Sequence, residues 1–207
     1  HKMNGRFKQN SRSGYLISIA SYGPQRMAVI FDAKGKTFRH EAFEAYKGGR
    51  SETDDALKLQ FTPTRDICDA LAIPTYDAEG YEADDVLGTI AEQLKKNKDV
   101  DILIASGDMD TLQLVDKKRV RVYTLKRGLN DTVIYDEKGV IERFGFKPQS
   151  IIDYKALRGD PSDNIPGITG VGEKTAQKFL KELGNPYKEI FIDLDGTIAI
   201  EWGAYGV

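Results

Sequence analysis

Acidic residues cluster at the ends of apolar runs and at the starts of predicted helices. They are Asp32, Glu82, Asp84, Asp85, Asp108, Asp110, Asp160, Asp163, Asp193 and Asp195. Carboxylates brought close together repel one another and take up protons unless cations neutralise them. Hard divalent ions with oxygen ligands neutralise such clusters best. The pattern therefore predicts a magnesium-dependent phosphoryl-transfer site.

Any one of these acids has a simpler structural explanation. Asp84 could cap a helix, and residues 160–164 could form a turn. Burying many uncompensated carboxylates together, however, would cost on the order of several kcal/mol for each ion. A structural role does not explain that cost, so the group as a whole favours a cation site.

Short apolar runs predict the strands that position these acids. Residues 27–31 (MAVIF), 101–105 (DILIA) and 190–192 (IFI) are typical of buried parallel strands. Apolar residues at helical spacing predict helices over 84–94 and after Thr62-Pro63. Alternating strands and helices predict an α/β fold, with a mostly parallel central sheet flanked by helices. The functional site is expected at the carboxyl ends of the strands.

Composition limits the class of protein. The 207 residues are 40% hydrophobic and 30% charged, which predicts a soluble globular domain. Cys68 is the only cysteine, which excludes a disulfide framework and a cysteine-rich zinc site. Without a signal-peptide pattern, a cytoplasmic location is expected. The net charge of −2 does not exclude DNA binding, because the acidic residues would be metal ligands.

A basic and aromatic segment follows Asp32. Its cations could draw phosphates toward the acidic residues, and Phe38 or Tyr46 could stack on a base. The alternative is a solvated amphipathic helix. Its position directly after Asp32 favours the functional interpretation. The cations are Lys34, Lys36, Arg39, Lys47 and Arg50.

A glycine-rich segment at 165–176 (IPGITGVGEKTA), followed by a helical pattern over 177–183, predicts a helix-hairpin-helix. Gly167, Gly170 and Gly172 would let the backbone approach a phosphate, and the next helix would offer free N–H groups. Lys174 and Lys178 add positive charge. Such a hairpin grips the DNA backbone with little sequence preference. The alternative is an ordinary glycine-rich turn.

Long stretches resemble the 5′-nuclease domain of bacterial DNA polymerase I and its flap-endonuclease relatives. They are YEADDVLGTIA, ILIASGDMDTLQLV and ALRGDPSDNIPGITGVGEKTAQKFL, and FDAKGKTFRHEAFEAYKGGR resembles the family's second acidic strand and arch. The resemblance covers residues 27–183 and implies one 5′-nuclease domain (PIN-like fold) over 1–207. It implies a helical arch at 34–55 and a helix-hairpin-helix subregion at 150–183.

The family begins with a strand that ends in Asp-Gly, and residues 190–196 (IFIDLDG) resemble that strand. The resemblance therefore predicts a circular permutation. Residues 184–189 would bridge the old ends, and 190–207 would hold the relocated strand and the start of its helix. The segment DLDGT, beginning at Asp193, also matches the nucleophile motif of haloacid-dehalogenase-like phosphatases, so a fragment of such a phosphatase is a remote alternative.

The resemblance implies two-metal hydrolysis of DNA phosphodiesters. One ion would be bound, directly or through water, by Asp195, Asp32, Glu82 and Asp84. The second would be held or oriented by Asp85, Asp108, Asp110, Asp160 and Asp163. The family shows no acid at Asp193. Lys47 and Arg50 would offset charge on the scissile phosphate, and Tyr46 would stack on the nucleotide being cleaved. The implied DNA-binding residues are Arg39, Gly167, Gly170, Gly172, Lys174, Thr175 and Lys178.

The implied cofactors are two or more Mg²⁺ ions, with Mn²⁺ as a substitute and K⁺ at the hairpin. The expected partner is DNA with 5′ flaps or 5′ ends, bound by a monomer away from membranes and in association with the bacterial nucleoid. A DNA-binding module that keeps this fold without turnover is the main alternative. Magnesium-dependent cutting of a flap would separate the two.

Overall fold

The computed structural model describes residues 22–51, 53–127, 131–183, 191–192 and 198–199. The α-helices are α1 (Phe38–Ala42), α2 (Asp55–Lys58), α3 (Phe61–Ala70), α4 (Ala83–Lys95), α5 (Glu137–Phe144), α6 (Ile151–Arg158) and α7 (Glu173–Leu183). The strands are β1 (Val29–Ile30), β2 (Thr75–Tyr76), β3 (Ile102–Ala105), β4 (Val120–Arg127), β5 (Asp131–Tyr135), β6 (Phe191–Ile192) and β7 (Ile198–Ala199). Two 3₁₀ helices span Met109–Leu114 and Pro148–Ser150.

The predicted α/β class is confirmed, but the described strands form three small sheets. β1 pairs with β2 in parallel, and β3 pairs with β4 in parallel. β5 then adds antiparallel to β4. The first sheet is small because β1 and β2 contribute only two residues each. β1 and β3 each belong to a parallel pair, and each is followed in the chain by an acidic segment, which contains Asp32 after β1 and Asp108 after β3.

The run that was predicted to be a relocated first strand lies outside the first two sheets. β6 pairs antiparallel with β7 as a separate two-stranded sheet, so local pairing satisfies its backbone groups. The predicted parallel pairing with the central strands is therefore wrong for Phe191 and Ile192. Asp193, Asp195 and the predicted bridge at 184–189 lie outside the described residues.

Helix α4 carries the central acidic group at its N-terminus. Glu82 is the N-cap residue, and its backbone N–H donates to the Asp85 carboxylate at 2.9 Å. Acidic side chains are stabilised there because the helix dipole is positive at that end. Farther along, Leu87 and Ala91 pack against the core and fix the helix to the sheet.

The core lies around β4. Leu112, Val115, Val120, Val122 and Val140 have no exposed surface. Burial of each such side chain stabilises the fold by roughly 1.5–3 kcal/mol. Because Leu112 lies in the 3₁₀ helix that follows β3, the same packing fixes Asp108 and Asp110.

Residues 159–172 connect α6 to α7 and bring two backbone segments close together. A Cβ atom on Gly167 would lie 2.2 Å from the carbonyl carbon of Arg158, so only glycine allows this close approach of two backbones. Gly170 has a φ of +84°, which also favours glycine. Ala176 and Leu180 anchor α7 in the core. None of the described helices is both long and apolar enough to span a bilayer.

Candidate active site

Carboxylates from three segments meet around Asp84. Asp32, which follows β1, accepts a hydrogen bond from the backbone N–H of Ala83 at 2.8 Å, and this bond joins the end of β1 to the start of α4. Asp108 is the N-cap residue of the 3₁₀ helix after β3 and accepts from the N–H of Asp110 at 2.9 Å. The predicted convergence of strand ends is therefore present for these residues.

The carboxyl of Asp84 has a raised pKa. Although Asp84 is an exposed residue, loss of hydration raises the pKa of its carboxyl to about 6. Repulsion from Asp108, Asp32, Glu82 and Asp110 adds to this shift. A nearby cation would relieve that repulsion.

Lys155 on α6 links two of the predicted metal ligands. Its Nζ atom lies 2.7 Å from Asp110 Oδ1 and 2.7 Å from Asp160 Oδ2. Burial raises the pKa of Asp110, and Lys155 partly offsets that effect. Burial acts the same way on Asp160, but hydrogen bonds from Lys155 and Ser162 outweigh it and lower the pKa of Asp160 to about 2.

The base of the predicted arch contacts two acidic residues that are distant in the sequence, Glu82 and Asp163. Lys47 Nζ lies 2.7 Å from Glu82 Oε1, and Arg50 forms an ion pair with Asp163. The Lys47 backbone N–H donates to the Asp163 carbonyl at 2.9 Å, and Asn164 Nδ2 donates to the Ala45 carbonyl at 2.8 Å. These contacts hold Lys47 at a left-handed φ of 56°, a conformation that persists only where the surroundings impose it.

Tyr46 does not present a face for stacking, contrary to the sequence-based prediction. Its residue surface is only 6% exposed. His40 packs edge-on against the ring at 5.2 Å, and Lys47 Nζ lies 5.0 Å from the ring centroid. The Tyr46 hydroxyl instead donates to Glu82 at 3.1 Å and lies 3.3 Å from Asp163. Tyr46 therefore supports the carboxylates.

Arg39 and Asp85 form a bidentate pair. The two guanidinium N–H groups lie 2.7 and 2.8 Å from the two carboxylate oxygens. The hydrogen bond from Arg39 lowers the pKa of Asp85. Arg39 is thus engaged with the protein at the position where the resemblance implies a DNA contact.

Across the described part of the chain, no group of three or more acidic, histidine or cysteine side chains is arranged to hold a metal ion. Four of these carboxylates are instead paired with Lys47, Arg39, Lys155 and Arg50. The donor set is nevertheless all carboxylate oxygen, which suits a hard divalent ion. The chemistry of the residues fits such an ion.

The glycine-rich segment that was predicted to form a hairpin lies between α6 and α7. Lys174 and Lys178 are exposed on α7, Thr175 is half-buried, and nothing lies within 4 Å of a Cβ at Gly170 or Gly172. Gly167 faces the backbone of Arg158, as described above. Its predicted approach to a phosphate is therefore replaced by an internal packing role.

Sequence reasoning missed Lys155, Asn164 and Tyr81. Lys155 lies five positions before Asp160, a spacing that gives only a weak signal. Asn164 was treated as part of a turn, but its side chain holds the arch base. Tyr81 directly precedes Glu82, and this position beside a predicted metal ligand was the available signal that Tyr81 lies near the site.

Two family models match the chain. The 5′-3′ exonuclease N-terminal resolvase-like domain matches residues 14–145, and the 5′-3′ exonuclease C-terminal SAM fold matches residues 146–196. They occur in the order N-terminal then C-terminal, and the second match includes residues 190–196. This order does not support a circular permutation.

Curated relatives and solved structures agree with these matches. DNA polymerase I of Bacillus caldotenax is 45% identical over 166 residues, covering 80% of this chain and 19% of that protein. DNA polymerase I of Bacillus subtilis is 44% identical over 165 residues, covering 80% of this chain and 18% of that protein. The chain therefore spans about a fifth of the length of these relatives.

Two bacteriophage T5 structures have the same fold. The T5 5′-exonuclease with bound divalent metal ions (zinc) has a TM-score of 0.68 and 27% identity, covering 86% of this chain and 69% of that one. The T5 flap endonuclease in a complex with DNA and metal ions has a TM-score of 0.67 and 28% identity, covering 83% of this chain and 65% of that one.

Proposed function

The chain belongs to the 5′-3′ exonuclease family, and from this premise we propose that it hydrolyses phosphodiester bonds of DNA at 5′ ends and 5′ flaps. The observation that carries the proposal is that carboxylates from the end of β1, the start of α4 and the segment after β3 meet around Asp84. Beside them, Lys47 pairs with Glu82 and Arg50 pairs with Asp163. Clustered carboxylates can hold metal ions for phosphoryl transfer, and neighbouring cations can stabilise charge on the phosphate.

The proposed cofactor is a pair of divalent ions, with Mg²⁺ as the physiological ion and Mn²⁺ as a substitute. Support comes from the T5 relatives, which bind divalent metal ions. Such ions lower the pKa of a bound water and stabilise the attacking and leaving oxygens. Asp32, Glu82 and Asp84 would hold one ion. Asp108, Asp110 and Asp160 would hold the other, with Asp85 and Asp163 orienting neighbouring groups.

The chain's own cations serve the scissile phosphate. Lys47 is fixed by Glu82, and Arg50 is fixed by Asp163, so both side chains are held at the edge of the carboxylate group. A fixed cation stabilises charge that develops on the phosphate without reorganising during the reaction. The hydroxyl of Tyr46 orients Glu82 by donating a hydrogen bond to its carboxylate.

Helix α7 would grip the DNA backbone. Its N-terminal N–H groups and the exposed Lys174 and Lys178 suit phosphates, and such contacts carry little sequence information. The predicted K⁺ site would lie in the same hairpin. The monomeric state, the nucleoid association and the cytoplasmic location remain predictions from the sequence.

Asp195 remains the predicted fourth ligand of the first ion, as the permuted arrangement requires. The only support is the resemblance of residues 190–196 to the family's first strand. The test compares Asp195→Ala with Asp193→Ala. Loss of magnesium-dependent cutting in the first variant alone is the expected result. Equal activity of both variants would remove Asp195 from the site and, with it, the permutation.

The test of the function uses a 5′-flap DNA labelled at its 5′ end, incubated with the chain in Mg²⁺ and in chelator. Release of a labelled flap only in Mg²⁺ is the expected result. Cutting in chelator would contradict metal-assisted hydrolysis.

A binding module without turnover is the second candidate function. The contact of Lys155 with both Asp110 and Asp160 favours it, because a lysine already neutralises this pair. Tight flap binding with no cutting in Mg²⁺ or Mn²⁺ would select this candidate.

A further inference from the structure

Two aromatic rings contact each other on the surface beside the acidic residues. Phe38 and Tyr81 have ring centroids 5.6 Å apart at an interplanar angle of 54°. Phe38 is 46% exposed and Tyr81 is 52% exposed. Large apolar rings that meet in solvent leave unburied surface that a ligand could cover.

The pair is held rigidly. The backbone N–H of Phe38 donates to the carbonyl of Gly80 at 3.0 Å, which joins the start of α1 to the loop before α4. The Arg39 guanidinium lies 4.6 Å from the centroid of the Phe38 ring, and Asp85 holds that guanidinium in place. A preorganised ring loses little conformational entropy when a ligand stacks on it.

The position of the pair selects the ligand. Tyr81 directly precedes Glu82, and Phe38 directly precedes Arg39, so the rings adjoin the proposed cleavage site. Lys34 and Lys36 are exposed on the segment that leads into α1. A ligand that combines flat aromatic groups with phosphates would satisfy both the rings and the lysines.

We propose that Phe38 and Tyr81 form a stacking site for an unpaired nucleobase of the DNA strand that enters the acidic site. This proposal rests on the proposed nuclease function and adds to it a contact with the base. Stacking on aromatic side chains tolerates every base, because each base has a π face. The site would therefore favour unpaired DNA without favouring a sequence.

The test measures binding in chelator, so that no cleavage is needed. The probes are a flap DNA with ordinary bases in its single strand and a matched flap DNA with abasic residues in that strand. Phe38→Ala and Tyr81→Ala should each weaken binding of the ordinary flap by about 5-fold or more, as expected for one lost base–aromatic stack. Both variants should bind the abasic flap as the parent does.

Two further variants separate stacking from folding. Phe38→Trp should bind the ordinary flap about as tightly as the parent does, because tryptophan keeps an aromatic face at this position. Ile67→Ala, which changes another exposed apolar residue, should leave both affinities unchanged. Unaltered abasic binding by the alanine variants shows that they are folded.

The proposal is overturned if the parent binds the two flaps equally, or if the alanine variants lose both affinities to the same extent. Its failure is distinct from failure of the nuclease proposal, which is read from cutting by the parent in Mg²⁺. If the parent cuts the flap but Phe38→Ala shows no base-dependent loss of binding, the nuclease function stands and the stacking site is excluded.

Discussion

Lys155 Nζ lies between Asp110 and Asp160, 2.7 Å from an oxygen of each. Both carboxylates are predicted ligands of the second ion, so this lysine neutralises a pair that a metal would also neutralise. The position of α6 against the 3₁₀ helix after β3 creates this contact. We therefore expect metal binding and the stability of the metal-free protein to be coupled at Lys155.

Lys155→Met should lower the free energy of unfolding in chelator by about 1–3 kcal/mol, because it leaves the half-buried Asp110 and the buried Asp160 without their cation. Added Mg²⁺ should recover more stability in this variant than in the parent, since the ion meets less competition. Urea unfolding in chelator and in Mg²⁺ measures both effects. Lys138→Met is the control, because Lys138 forms an exposed pair with Glu142 that contributes little. Equal losses in the two variants would contradict the coupling.

Tyr46→Phe separates the observed role of Tyr46 from the predicted stacking. Removal of the hydroxyl takes away its bond to Glu82 and its contact with Asp163, so stability should fall by about 1–3 kcal/mol. A stacking role alone would leave stability unchanged, because phenylalanine keeps the ring. Thermal unfolding of the variant beside the parent gives the answer.

Asp84 makes stability depend on pH in the metal-free protein. Its pKa rises from 3.8 to about 6 on folding, so the folded state holds a proton that the unfolded chain has released between these values. The stabilising contribution is present below pH 3.8 and is lost as the pH rises through 6. Asp84→Asn should therefore raise the free energy of unfolding at pH 8, with a smaller effect at pH 5.

The size of this effect is on the order of 1 kcal/mol, because Asp84 is exposed and solvent screens its interactions. Urea unfolding in chelator at the two pH values measures it. Asp101→Asn, a change at another exposed acid, provides the comparison. The same gain at pH 5 and pH 8 would refute the raised pKa.

Lys174→Ala should weaken DNA binding equally on unrelated sequences and reduce the slope of log affinity against log salt by about 1. The reason is that, in the proposed function, a lysine at the start of α7 would meet phosphates and not base edges. Binding titrations over a range of salt on two sequences test this, with Lys98→Ala as an exposed control. A loss confined to one sequence would exclude a backbone grip.

Local patterns predicted the elements that depend on local physics. The apolar spacing at 84–94 predicted α4 (Ala83–Lys95), and the apolar run at 101–105 predicted β3 (Ile102–Ala105). The glycines and lysines of 165–176 likewise predicted the hairpin before α7. These signals are strong because each element buries a face that its own residues define.

The remaining features depend on contacts between distant residues. Lys155 contacts Asp110, although the two residues are 45 positions apart in the sequence. No periodic pattern in the sequence predicts that contact. Tyr46 is buried because His40, Lys47 and Glu82 surround it after folding. Residues 190–192 have a strand pattern, but which partner β6 takes is decided by its neighbour β7.

The most direct test of the proposed chemistry is Asp110→Ala, assayed for flap cutting and flap binding in parallel. Cutting in Mg²⁺ should fall by at least roughly 100-fold, because the role proposed for Asp110 is in the reaction and not in DNA binding. Binding in chelator should stay close to that of the parent, and Asp101→Ala should cut normally. Undiminished cutting by Asp110→Ala would contradict the assignment of this carboxylate group as the metal-dependent catalytic site.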